Sequence, residues 1–462
     1  MSAGAEPWDM WQPRVASALT AWTGVLASIT GPGAHASARS QLIPVAQPTV
    51  TGPTSGGVHN RPFMGLLRVP KGFVEEEYLV SGTARAFYGP AVISQKPVAG
   101  TDQLPPQPYT TRILVVRPRL QAKSNHTAVV TWQNVTFGHD IDEWFDIGRQ
   151  VVADGYTYVD ADVQLASEPA LKAFDPVRYA TVNIPDDAYS YDIYSQVAQA
   201  LRHGDGIRGT PLRTVLALGA SQSGYAVDQY LTAVQPFVQH VYDGFIDAVA
   251  NGPDHHSDRP VIRLLSEDEI DGSSSSPDGH NYRQWEIAGS SHGNKADFNY
   301  IAATERRDLG ADLVDPLAGD NAPFGTSDCK MNRFPADEAY SAALVALRRW
   351  VVQGIVPRSQ PRVEVKSGKI VRDRVGNAIG GIRLPAMSVP TAAYNRTGDC
   401  VALDGRTERF TAKRLRALYP THQVYVRKVR AAVRQSVRLG VLTRAFARTV
   451  EDTAAASTIP YS

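Results

Sequence analysis

The sequence predicts an α/β fold, a mostly parallel sheet with helices on both faces. Three observations point there. Short apolar and β-branched runs alternate along the chain with segments of helical period, the order that builds parallel sheets. One strand-like run, Val215–Leu218, breaks abruptly into a helix-compatible segment through Gly219, Ser221, Ser223 and Gly224. An acidic stretch and a histidine follow, each at the end of a later strand-like run, in the order serine, acid, histidine.

The elements follow in order. Gln41–Arg61 is rich in Gly, Pro and Thr and reads as an extended lead-in. Glu75–Ala84 and Tyr109–Val116 read as strands by alternation and β-branched content. Ala128–Trp132 is a short apolar strand. Asp140–Val152 has Ile141, Trp144, Phe145 and Val152 near helical spacing, with Gly148 on the same face. Thr157–Val163 is the next strand, and Asp187–Arg202 a helix with Ile193, Val197, Ala200 and Leu201 on one face. Thr214–Leu218 is a strand, followed by a helix through about Val234. Phe245–Val249, Val261–Leu265 and Gln284–Ala288 complete the strands. Beyond them, Ala336–Val352 and Gln423–Leu439 read as helices, ended by Gly354 and Gly440.

Composition bounds the function. The 462 residues are 43% hydrophobic and 20% charged, as in ordinary globular proteins, and the net charge of +1 provides no global field for nucleic acid or anionic membrane. No segment is a convincing membrane span. Two cysteines, Cys329 and Cys400, are too few for a disulfide scaffold or a four-thiolate zinc site. Asp254-His255-His256-Ser257-Asp258 reads as a polar loop between strands rather than a metal site. Arg427, Lys428, Arg430, Arg434 and Arg438 read as a solvated helix face. No cofactor or metal is called for.

At the N-terminus, Val15–Thr30 is mostly small and apolar, and Gly31-Pro32-Gly33 and Ala34-His35-Ala36 follow. This is the layout of a signal peptide over residues 1–36. The acids Glu6 and Asp9, and the Ser and Thr in the apolar stretch, run against it. Secretion and a cytoplasmic location both stand, with Cys329 and Cys400 paired in the first case and separate thiols in the second.

The chemistry centres on Thr214–Tyr225, TVLALGASQSGY. A sharp strand-to-helix turn holds its nucleophile in strained backbone angles, so the neighbours must be small. With Ser221 as the nucleophile, Gly219 and Ser223 are the small residues two positions either side. The G-x-S-x-G pattern is met except at its last position, which is Ser223. A serine hydroxyl needs an imidazole to take its proton, and the imidazole needs a carboxylate to orient it. Val261–Leu265 runs into Ser266-Glu267-Asp268-Glu269, and Gln284–Ala288 runs into Gly289-Ser290-Ser291-His292. His292 is the candidate base, with Glu269 or Glu267 the acid.

These residues lie within a wider similarity. The chain resembles a bacterial α/β-hydrolase-domain family whose elbow reads G-x-S-Q-S-G/A. The stretches that carry it are GFVEEEYLVSGTA (72–84), TWQNVTFGHDIDEW (131–144), DPVRYATV (175–182), DDAYSYDIYSQVAQALR (186–202), GASQSG (219–224), YDGFIDA (242–248), RQWEIAGSSH (283–292) and GNAIGGIRLPAMSVP (376–390). The resemblance implies an α/β-hydrolase fold and a serine hydrolase, with nucleophile Ser221 and base His292. The family's acid region ends in Asp where this chain has Glu269, which favours Glu269 over Glu267. The backbone N–H of Gln222, after the nucleophile, and of Val135, after an earlier strand, are the expected oxyanion donors.

About ten residues separate Ala250 from Val261, too few for a cap, whereas some 170 follow His292. The expectation is one domain over residues 45–455, in which 293–455 supply a lid or side wall. The predicted function is hydrolysis of a small carboxylic ester through an acyl-enzyme, with an amidase or peptidase, or a non-catalytic binding protein on the same scaffold, as alternatives. The oligomeric state is not readable.

Overall fold

A nine-stranded sheet forms the centre of the chain. The computed structural model describes residues 42–89, 94–96, 104–204, 206–250, 252, 257–272, 276–311, 330–396 and 405–461. Residues 1–36, Cys329, Cys400 and Asp254–His256 lie outside them. The sheet strands are β1 (Thr49–Thr51), β2 (Phe73–Ala84), β3 (Gln107–Pro118), β4 (Thr127–Trp132), β5 (Thr157–Ala161), β6 (Thr214–Ala220), β7 (Gly244–Ala248), β8 (Val261–Leu265) and β9 (Tyr282–Glu286). They run β1-β2-β3-β5-β4-β6-β7-β8-β9 across the sheet. β1, β2, β3 and β5 pair antiparallel, and the six strands from β5 to β9 are mutually parallel.

Side chains alternate between two apolar layers because successive strand residues face opposite ways. Val215 and Ala217 join one layer, and Leu216, Leu218 and Ala220 the other. Helix α3 (Ser190–His203) and helix α4 (Gln222–Gln229) pack on the first. Helix α1 (Trp144–Asp154) and helix α6 (Asp337–Gln353) pack on the second and against each other. Helix α2 is Glu168–Phe174 and α5 is Lys295–Asp308. The C-terminal helices α7 (Ala412–Leu418), α8 (His422–Leu439) and α9 (Arg444–Ala456) share an apolar cluster of their own, built on Leu415, Val429, Val433 and Phe446.

Several expected boundaries move, two of them for plain local reasons. Helix α1 begins at Trp144 rather than Asp140, because the Asp142 carboxylate accepts the Trp144 N–H at 2.9 Å and closes a turn in place of a first helical turn. β9 ends at Glu286 rather than Ala288. The chain turns there, with Ser290 N–H bonded to Ile287 C=O and Gly289 at φ +90°. The helix after β6 passes into a π turn over Tyr230–Val234. Among the described residues no helix is long and apolar enough to cross a membrane.

Candidate active site

Ser221 sits between β6 and α4 with φ 58° and ψ −123°. An L-residue with positive φ is strained and persists only where its surroundings enforce it. Two close approaches enforce it. A Cβ on Gly219 would lie 2.3 Å from the Ser223 carbonyl oxygen, and one on Gly224 would lie 2.5 Å from the Ala248 carbonyl oxygen. The Ser221 N–H donates to that same Ala248 oxygen at 3.0 Å, which ties the turn to β7. Ser223 faces away from the cavity. Its buried hydroxyl donates to Ala220 C=O at 2.8 Å and accepts the Ala220 N–H at 2.9 Å. Glycine is thus demanded at 224, and the serine at 223 fastens the turn.

The loops after β8 and β9 bring the other two groups to Ser221. His292 Nε2 lies 2.7 Å from Ser221 Oγ, and His292 Nδ1 lies 2.6 Å from Glu269 Oε1. The second carboxylate oxygen of Glu269 accepts from Ser266 N–H at 2.9 Å and from its hydroxyl at 2.6 Å. Glu267 points elsewhere: it accepts the Gly289 N–H at 2.7 Å and pairs with Arg372 at 2.6 Å. Asp268 accepts the His292 backbone N–H at 2.8 Å, fixing the histidine loop rather than its ring.

Burial and charge set the ionisation of this relay. Desolvation pulls the His292 imidazole down. The Glu269 charge and hydrogen bond outweigh it, so His292 stands above the ordinary histidine value. For Glu269, burial would raise the carboxyl, but His292 and the two Ser266 bonds hold it below its usual range. The pair is built to carry a positive imidazole beside a fixed carboxylate.

Of the expected oxyanion donors, Gln222 lies at this turn and Val135 in the loop after β4, beside it. Gln222 opens α4, where the first helical N–H groups point outward. Val135 N–H donates to the Gln222 side-chain oxygen at 3.3 Å, a long bond that a stronger acceptor could displace. Asn134 donates to Ala220 C=O at 3.0 Å, so its loop is tied to the elbow.

Ser221 and His292 open into a cavity of about 140 Å³. Its walls include Phe137, Ile141 and Phe145 from before and within α1, Phe298 and Ile301 from α5, and Ala336 and Tyr340 from the start of α6. Residues beyond His292 thus form much of its lining. Glu143, Asp146 and Asp297 also reach it and were not foreseen as site residues. Asp297 had a visible signal: Asn294-x-x-Asp297 is a capping box, which marks a helix start. Glu143 and Asp146 lay inside a predicted helix start, where acids ordinarily just complement the dipole. Ser266, the hydroxyl that steadies Glu269, gave no signal beyond its place in the acidic stretch. Among the described residues no group of histidine, cysteine and carboxylate side chains could hold a metal ion.

No curated protein matches the chain. Among solved structures it is similar to a serine hydrolase without lid from Xanthomonas campestris, at 13% identity and TM-score 0.28, over 50% of this chain and 93% of that one. It is similar to acetyl xylan esterase 1 from a Thermoanaerobacterium species, at 10% identity and TM-score 0.26, over 48% of this chain and 73% of that one. It is also similar to oligopeptidase B from Leishmania major, at 12% identity and TM-score 0.23, over 39% of this chain but only 20% of that one. A family match covers residues 50–452, nearly all of the described sheet, cavity and C-terminal helices, and by it the chain belongs to the alpha/beta hydrolase domain family.

Proposed function

We propose that this protein is a serine hydrolase that cleaves carboxylic esters through an acyl-enzyme, with Ser221 the nucleophile, His292 the base and Glu269 the acid. The observation that carries the reading is the continuous relay from Ser221 Oγ through His292 to Glu269, 2.7 Å and 2.6 Å long, opening on a cavity. Ser221 Oγ attacks the ester carbonyl carbon as its proton passes to His292 Nε2. The oxyanion is held by backbone N–H groups, Gln222 and Val135 being the candidates. As the tetrahedral species collapses, the C–O bond to the alcohol breaks and the alcohol takes the proton from His292. Water, deprotonated by His292, then attacks the acyl carbon; the bond to Ser221 Oγ breaks, Oγ takes the proton back from His292, and the acid leaves.

A fluorophosphonate probe tests the reading, because only an activated serine reacts with it. Labelling should fall on Ser221 and vanish in Ser221→Ala. The same substitution should lower ester hydrolysis on the order of a millionfold. Undiminished hydrolysis in Ser221→Ala would overturn the assignment. An ester panel with graded acyl lengths, run beside matched amides, separates an esterase from an amidase.

A further inference from the structure

The cavity beside Ser221 contains a charge imbalance that the hydrolytic relay does not use. Glu143 and Asp146 are 2% and 6% exposed and line it, and no hydrogen bond or ion pair reaches either carboxyl group among the described residues. No lysine or arginine is among the described residues lining the cavity. Elsewhere in the core the chain supplies cations to buried acids. Glu77 meets Arg112 and Arg178, Asp228 and Asp247 meet Arg263, and Glu267 meets Arg372. At the cavity it supplies no lysine or arginine, and His292 is engaged by Glu269; aromatic rings from Phe137, Phe145 and Phe298 line the same space. A buried carboxylate is stable only when paired or protonated, and a ring of aromatic faces favours a cation.

We propose that the ligand of this cavity brings the missing cation: the ester cleaved at Ser221 carries an alkylammonium group, held by Glu143 and Asp146 among these rings. The placement on an ester rests on the serine-hydrolase reading above. Burial, reinforced by Asp142, Asp160 and Asp297, pushes Glu143 well up. Burial, with Asp297, Glu143 and Asp337, does the same for Asp146. Asp297 on α5 and Asp142 are each pushed up to about 7, chiefly by burial. On α6, burial chiefly pushes Asp337 up to about 6 and Glu338 up to about 8, with the Arg149 charge opposing. The hydroxyls of Tyr158, Tyr300 and Tyr340 also face this group and stay protonated. Burial and the neighbouring acids thus favour the protonated forms when no cation is present, and an incoming ammonium favours the charged forms.

Ser221→Ala protein permits the test without turnover. Butyrylcholine and its analogue with carbon in place of the quaternary nitrogen are titrated by calorimetry at neutral pH, in buffers of different ionisation enthalpy. Butyrylcholine should bind at least about tenfold tighter and release protons on binding, as linkage requires of acids whose charged form the ligand favours. Adding Glu143→Gln and Asp146→Asn should abolish both effects. Equal affinity for the two esters, no binding of butyrylcholine, or a preference without proton release would overturn the proposal. So would a preference that survives the double substitution. The proton count is read with both acids intact, so it stands even where the substituted protein fails to fold. Failure of the serine-hydrolase reading has a separate signature, a wild-type protein that neither hydrolyses the esters nor reacts with fluorophosphonate.

Discussion

At the residue scale, Glu267 and Glu269 differ by two positions and by everything that surrounds them. One faces Arg372 and the other faces His292. Glu269→Gln should lower kcat by roughly 10²–10⁴, the scale for neutralising a triad acid, and Glu267→Gln by much less. Steady-state kinetics of the two variants gives the ranking, and the reverse order would reassign the acid. The pH profile adds a second reading. His292 must be neutral to take a proton, and its pKa is raised, so kcat/KM should rise with pH through a value above the ordinary histidine range. Glu269→Gln removes the charge that raises it, so the rising limb should move to lower pH. Ser223 calls for its own prediction. By size alone Ser223→Ala is harmless, but it removes two buried hydrogen bonds at Ala220. A loss of about 1–3 kcal/mol in chemical denaturation is expected, with Ser221 still reactive to a fluorophosphonate. The sequence made Ser221, His292 and the acidic stretch legible because each follows a strand. It could not reveal where Glu267 points, since that depends on Arg372, 105 positions away.

At the scale of elements, the strands and long helices were readable from period and composition, and the misplaced ends have local causes. Gly148, which weakens a helix reading, is needed within α1. A Cβ there would lie 2.4 Å from the Trp144 ring, which folds back over it. Asp142 starts the helix late through a side-chain bond that no periodicity records. The acids that gather at the starts of α1, α5 and α6 were invisible for a different reason. Each looks like ordinary helix-end chemistry in its own segment, and only packing brings them together. That gathering has a sign. Glu143 and Asp146 hold protons in the folded protein at pH values where the unfolded chain has lost them. Their contribution to stability is therefore present below the usual carboxylate range and is lost as pH rises from there toward their folded values. Thermal melts should show Tm falling as pH rises above the usual carboxylate range, and the Glu143→Gln, Asp146→Asn protein should show a flatter dependence. An equal slope in both proteins would contradict the assignment.

At the scale of the whole molecule, the residues after His292 close the sheet as well as the cavity. β9 is its last strand, and the segment around residues 362–382 lies along that edge. Ile382 N–H donates to Glu286 C=O at 2.7 Å, and Ala288 N–H donates to Ile382 C=O at 3.2 Å. Val363 N–H bonds to the Glu286 carboxylate at 2.6 Å. An uncovered parallel edge templates association, and loss of α6 would also bare Leu264, Trp285 and their neighbours. A chain ended after residue 311 should be insoluble or aggregate in light scattering, and a soluble, cooperatively melting fragment would show that the later residues are dispensable. The length of the tail is plain in the sequence, but not that it covers an edge, because such pairing joins backbones without regard to side chains. The division of labour has an evolutionary consequence. The strands and their loops hold Ser221, Glu269 and His292, whereas α5 and the start of α6 supply part of the cavity wall. Changes at Phe298, Ile301 or Tyr340 can alter what is accepted while the reacting groups keep their places, so descendants of one ancestor can exchange substrates and retain one chemistry.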